Sequence, residues 1–426
     1  MSSVADLQVS ENKRFLEYTD GTPFFYLGDT AWELFHRLNR EEADLYLEDR
    51  AAKGYTVIQA VVLAELDGLN DPNPYGHTPL LNNDPTTPNE DYFAHVDYIV
   101  NKAESLGMFI GMLPTWGDKW NQKWGKGPVV FTPENAYQFG EWLAKRYADK
   151  PILWILGGDR TVETMKHVQI IRAMAAGLHA GDDGRHIKSF HPQGQQTSSL
   201  YFHCDEWLDF NMYQTGHSRD RDNWRSIGEE YRRTPIKPCL DAEPGYENIL
   251  NHFRYGHARL KDHHCRKFLY WSLFAGACGH TYGCNDIWQM WSPGKDPQIG
   301  ANLPWNEAIH LPGSGQMQHA KNLLLARPYF TRIPDQSVVV SDTLTGGDHI
   351  QATRDSEGAF VLVYTASGHP FTVNMTKLSG KARAAWFDPR TGESEPFGEF
   401  DPTGEQEFRP PSQGEADDWI LTLDTL

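Results

Sequence analysis

The run Ile152-Leu153-Trp154-Ile155-Leu156-Gly157-Gly158-Asp159 sets five consecutive apolar residues ahead of two glycines and a carboxylate. A continuous apolar run, unlike an alternating one, fits a strand covered on both faces, as in a parallel sheet beneath helices. Seven further runs of this kind flank it: Pro23 to Leu27, Thr56 to Val62, Phe109 to Leu113, Ile187 to Phe190, Phe210 to Tyr213, Lys237 to Leu240 and His280 to Tyr282. Helix punctuation separates them. Asn39 with Glu42 three residues on reads as a capping box, and Gly54 marks the stop. Phe93, Val96, Val100, Ala103 and Leu106 recur at helical spacing before Gly107, and Thr132-Pro133-Glu134 opens a third helix. Eight strand-then-helix units in some 290 residues predict an α/β fold, a (β/α)8 TIM barrel. No GxGxxG follows the first strand, so a dinucleotide fold is disfavoured.

Beyond Pro334 the helical period disappears. Short runs such as Ser337 to Val340, Ala359 to Tyr364, Ala384 to Phe387 and Trp419 to Leu423 alternate with turn clusters. They predict a small C-terminal antiparallel β-sandwich. The expected domains are therefore a barrel over 1–334 and a β-sandwich over 335–426, the second bracing the first.

Acidic residues outnumber basic ones by 57 to 39, a formal charge of −18. That balance argues against nucleic-acid and membrane-surface partners. No run approaches the length of a membrane span, and the first twenty residues lack a basic start followed by an apolar core. The five cysteines lack CxxC spacing and read as reduced thiols. Together these give the expectation of a cytoplasmic chain.

Reactive groups on a parallel barrel belong at strand C-termini. Two ends there put a carboxylate after an apolar strand: Asp159 on the fourth and Glu243 on the seventh. These strands stand on opposite sides of the mouth, the arrangement that glycoside cleavage requires of an acid and a nucleophile. Asp29, Trp32, Trp116, His191, Tyr213, Tyr246 and Trp288 are candidates for the sugar-binding wall. A helix cap or loop anchor explains Asp29 and Asp118 equally well, and packing explains most tryptophans. Arg160 beside Asp159 could pair with Asp241 or another carboxylate. No metal is expected: the first strand ends Gly28-Asp29-Thr30 instead of HxH, no HExxH occurs, and adjacent His263 and His264 should diverge on a helix. GxSxG is also missing at strand ends. No cofactor is implied, and the partner is a carbohydrate substrate.

Phe24 to Trp32, Trp154 to Asp159 and Asp241 to Glu247 resemble the corresponding segments of the apiosidase-like glycosidases, glycoside hydrolase family 140 and its relatives, over residues 10 to 330. Ala385 to Glu393 is similar to the small β-domain that follows in those proteins and carries a collagen-binding label. The resemblance implies a retaining mechanism, with the acid/base at Asp159 and the nucleophile at Glu243. It implies a plant β-glycoside substrate, an apioside of pectin in the characterised cases. The missing signal favours a smaller, imported furanoside here. The alternatives are an endo-glucanase-like or arabinofuranosidase-like hydrolase and a non-catalytic carbohydrate-binding barrel.

Overall fold

The computed structural model describes residues 6–426. Eight parallel strands form the barrel: β1 (Tyr26–Thr30), β2 (Val57–Leu63), β3 (Phe109–Thr115), β4 (Ile152–Gly157), β5 (Lys188–His191), β6 (Asn211–Gln214), β7 (Cys239–Asp241) and β8 (Gly279–Tyr282). They follow one another in the order β5-β4-β3-β2-β1-β8-β7-β6. The seam between β5 and β6 has no ladder. It is closed by the Asp209 N–H donating to the Lys188 carbonyl (2.9 Å) and by Ser189 Oγ donating to the Phe210 carbonyl (2.7 Å). Every residue of β2, β3 and β4 is buried, which is why those stretches are almost wholly apolar, Gln59 and Thr115 excepted.

The first expected strand divides in two. Pro23–Phe24 joins Leu16–Tyr18 and Leu7–Val9 in a small antiparallel sheet, and the barrel strand begins only at Tyr26. Phe24 meets Phe109, the first residue of β3, at 5.3 Å, so this sheet covers the N-terminal end of the barrel. The helix over Arg40–Ala52 starts with the expected capping box, the Glu42 N–H donating to Asn39 Oδ1 and the Asn39 N–H to Glu42 Oε2, both at 2.9 Å. Thr132 caps the helix over Pro133–Arg146.

The second unit contains β9 (Arg332–Pro334), β10 (Ile350–Asp355), β11 (Phe360–Thr365), β12 (Phe371–Asn374), β13 (Ala382–Phe387), β14 (Ser394–Phe400), β15 (Glu405–Phe408) and β16 (Trp419–Thr425). Six of them form an antiparallel sheet in the order β9-β10-β11-β16-β13-β14; β12 and β15 pair separately. Because β9 already belongs to this sheet, the chain crosses between units at Arg332, ahead of the expected 334/335 boundary.

Strand β11 explains how the units join. Val361 and Val363 enter the core of the β-domain, while Phe360, Leu362 and Tyr364 pack into the core of the barrel. Two buried faces make the run continuously apolar. Around this contact Tyr270 stacks on Tyr364 (5.1 Å), Trp271 Nε1 donates to the His349 carbonyl (2.9 Å), and buried Arg266 meets Asp418 at 2.8 Å. Among the described residues no helix is long and apolar enough to cross a membrane, and the five cysteines are unpaired.

Candidate active site

Strand β4 ends in a turn that demands glycine. Gly157, Gly158 and Asp159 all have left-handed backbones, with φ of 99°, 96° and 51°. A Cβ on Gly157 would meet the His191 carbonyl oxygen at 2.3 Å, and one on Gly158 would meet the Gly117 nitrogen at 2.7 Å. The turn is pinned to both neighbouring strand ends: Gly117 N–H donates to the Gly158 carbonyl (2.9 Å) and Gly158 N–H to that of His191 (3.1 Å). Left-handed backbone outside glycine costs on the order of 1 kcal/mol, least for Asp and Asn. Here it delivers the Asp159 carboxylate into the barrel mouth.

Arg160 turns into the protein and is fully buried. Its Nη1 donates to the Asp159 carbonyl at 2.8 Å and lies 3.4 Å from Asp159 Oδ2, while the guanidinium sits 4.1 Å over the Trp124 ring. It does not pair with Asp241. That carboxylate accepts instead from Thr215 Oγ1 (2.7 Å) and Asn223 Nδ2 (3.0 Å).

Glu243 projects from the loop after β7, 6% exposed. His217 Nε2 donates to its Oε1 at 2.9 Å, and His191 Nε2 lies 3.1 Å from Oε2, off the line of a well-formed hydrogen bond. Burial alone would raise this carboxyl. The two imidazoles outweigh burial and hold it well below the ordinary carboxylate range. Asp159 moves the opposite way. Burial and the charge of Glu243 push it up to about 6 against the pull of Arg160 and His191.

Both carboxylates line one cavity of about 630 Å³. Of the expected sugar contacts, Trp32, Trp116, Tyr246 and Trp288 line it too. Trp32 and Trp116 rest 5.2 Å apart, and His191 stands edge-on to Trp32 at 5.3 Å, behind Glu243. Two candidates fall elsewhere. Asp29 faces away from the mouth toward the Arg40–Ala52 helix, where its Oδ2 accepts from Tyr46 Oη and Arg50 Nε, both at 2.5 Å. It is a buried ion pair that anchors helix to strand. Tyr213 points its hydroxyl at the Gln195 carbonyl (3.4 Å), and its neighbour Gln214 lines the cavity in its place. Asp118 pairs with Lys119 (2.7 Å) and accepts from Gly127 N–H (2.8 Å), a loop anchor.

Several lining residues escaped the sequence reading. Glu65 lies two residues past β2 and obeys the same strand-end rule that marked Asp159 and Glu243, so that rule reaches it. Trp124, Arg221 and Phe253 sit on long loops, where periodicity carries no signal. His263 and His264, expected to diverge, instead bring their ring centroids to 3.9 Å at a tilt of 36°, with Glu415 close by. His264 Nδ1 accepts from Lys261 N–H (3.1 Å), and burial pushes that imidazole down to about 3. A neutral ring accepting at Nδ1 carries its proton on Nε2, which leaves no lone pair for a metal there.

Two partnered carboxylates of opposite proton preference, facing one cavity at the C-terminal mouth of a (β/α)8 barrel, are the equipment of a glycoside hydrolase. A solved glycoside hydrolase is 36% identical over 99% of this chain and 97% of its own, with a TM-score of 0.92. A glycoside hydrolase family 5 structure from Bacteroides vulgatus is 35% identical over 99% of this chain and 94% of that one, with a TM-score of 0.91. The chain belongs to the apiosidase-like family: residues 10–331 match the family described as "Apiosidase-like, catalytic domain". Residues 333–424 match "Putative collagen-binding domain of a collagenase". No curated protein matches the chain.

Proposed function

We propose that the protein is a retaining glycoside hydrolase that cleaves a plant-derived β-furanoside, an apioside foremost, with Glu243 as nucleophile and Asp159 as acid/base. The observation that carries this reading is the opposed proton preference of two carboxylates lining one cavity. Glu243, held ionised by its imidazoles, attacks the anomeric carbon. As the glycosidic bond breaks, Asp159 passes its proton to the departing oxygen. Once Glu243 is esterified its charge is gone, so the repulsion that, after burial, raises the Asp159 carboxyl is also gone. Asp159 then takes a proton from water, whose oxygen attacks the anomeric carbon and frees Glu243. The family match supports the apioside.

The test is a panel of aryl furanosides and pyranosides followed by proton NMR. The expected first product keeps the anomeric configuration of the substrate, and Glu243→Gln lowers kcat to less than about a thousandth with the fold intact. Inversion at the anomeric carbon, or full activity in E243Q, overturns the assignment. Binding without release of the phenol favours a non-catalytic barrel.

A further inference from the structure

Glu65 shares the cavity with Asp159 and Glu243, and the backbone on each side of it is held by a buried charged side chain. Lys119, fully buried, donates from Nζ to the Ala64 carbonyl (2.9 Å) and to Asp118 Oδ1 (2.7 Å). Glu33, also fully buried, accepts the Leu66 N–H at Oε1 (3.2 Å) and meets His36 Nδ1 at 2.5 Å through Oε2. Buried charges are expensive to maintain, and one kept beside a short loop segment is there to fix it. The Glu65 carboxyl between these two clamps has no hydrogen bond or ion pair among the described residues. An immobilised segment therefore presents an unpartnered carboxyl to the cavity. Structural roles such as helix capping or ion pairing would give that group a partner.

We propose that Glu65 is a sugar-binding residue that holds hydroxyl groups of the substrate on the Asp159 side of the cavity. The inference rests on the glycosidase reading of the cavity. Burial and the neighbouring Asp159 push the Glu65 carboxyl up to about 8, so near neutral pH it is uncharged and both donates and accepts hydrogen bonds. Sugar hydroxyls also donate and accept, which matches such a group.

Wild type, Glu65→Gln and Glu65→Ala are titrated with methyl β-D-apiofuranoside, binding being followed by tryptophan fluorescence; hydrolysis of the furanoside panel is measured beside it. E65A is expected to weaken Kd about tenfold or more, the loss of one or two hydrogen bonds. E65Q, which keeps a donor and an acceptor, is expected to stay within about threefold. Equal binding by wild type and E65A overturns the proposal, as does the absence of saturable binding by wild type. Should E65A fail to fold, E65D withdraws the same carboxyl by one methylene and is judged by the same criterion. Hydrolysis kept while E65A binds normally removes only the Glu65 role. Absence of hydrolysis by wild type removes the glycosidase reading.

Discussion

His217→Ala tests the electrostatics of the site most directly. His217 Nε2 donates to Glu243 Oε1 at 2.9 Å, its Nδ1 has no partner among the described residues, and its ring packs on Tyr246 (4.2 Å) and Phe253 (5.3 Å). A hydrogen bond to a charged group is worth about 1.5–3 kcal/mol. At about 1.4 kcal/mol per pK unit, its loss lifts the Glu243 carboxyl by about 1–2 units, from well below the carboxylate range to near its ordinary value. The nucleophile must be ionised, so activity is lost as pH falls through that carboxyl. Wild-type kcat/KM is expected to be level between pH 4 and 5 on its acid side, whereas H217A falls within that interval. His217→Asn keeps a donor and should shift the limb back toward wild type. The assay is kcat/KM for an aryl furanoside from pH 3.5 to 8, with brief exposure at the acid end. Superimposable acid limbs for wild type and H217A would refute the claim that this imidazole holds Glu243 ionised.

Asp418→Ala strips buried Arg266 of its bidentate partner across the two units, leaving Asp262 at 2.6 Å as partial compensation. Urea unfolding should show a loss of about 3 kcal/mol with kcat unchanged, and a loss below about 1 kcal/mol would mean the pair does not brace the barrel. Asp29→Asn should lower stability by about 3 kcal/mol, by removing the buried carboxylate at Arg50 Nε and leaving only Asp49 (2.6 Å) against that charge, with KM unaltered. A raised KM at full stability would return Asp29 to the sugar site. Gly158→Ala forces a Cβ to within 2.7 Å of the Gly117 nitrogen at a φ of 96°, displacing Asp159. Its kcat should fall about a hundredfold with a small change in KM, and full activity would show that the turn is not needed to aim the acid.

The barrel was legible because its strands are buried on both sides and so read as apolar runs of the right length. Position at a strand end then singled out Asp159 and Glu243, since the topology sends every such residue to the same rim. Finer placement depended on which way a side chain leaves its strand. Asp29 lies at the right end but points away from the cavity, to Arg50 and Tyr46, and Tyr213 spends its hydroxyl on the carbonyl of Gln195, which lines the cavity in its stead. Loop residues such as Trp124 and Phe253 were silent because long loops carry no period. The close approach of the His263 and His264 rings has a local cause. A hydrogen bond to the Lys261 N–H draws the His264 ring back over the first turn of its helix, where adjacent side chains would otherwise splay.

Under the proposed mechanism, the orientation of Arg160 bears on how an aspartate would serve as the acid at this position. A guanidinium locked in two parallel hydrogen bonds to the Asp159 carboxylate would hold it ionised throughout, and an ionised group has no proton to give a leaving oxygen. Arg160 avoids that outcome although it is the next residue. Its short contact, 2.8 Å, goes to the Asp159 backbone carbonyl, and the carboxylate is left at 3.4 Å. Stacking over Trp124 fixes the guanidinium plane in that orientation. The left-handed turn at Asp159 leaves Arg160 this one long contact with the carboxylate, and burial with the negative charge of Glu243 outweighs it in favour of protonation. Under the proposed mechanism burial and the charge of Glu243 together hold the proton on Asp159, and the second of these is lost once the nucleophile is esterified. A permanent cation gripping the acid would break that coupling, so the two glycines before Asp159 and the tryptophan beneath Arg160 act on the chemistry without touching the sugar's reacting carbon.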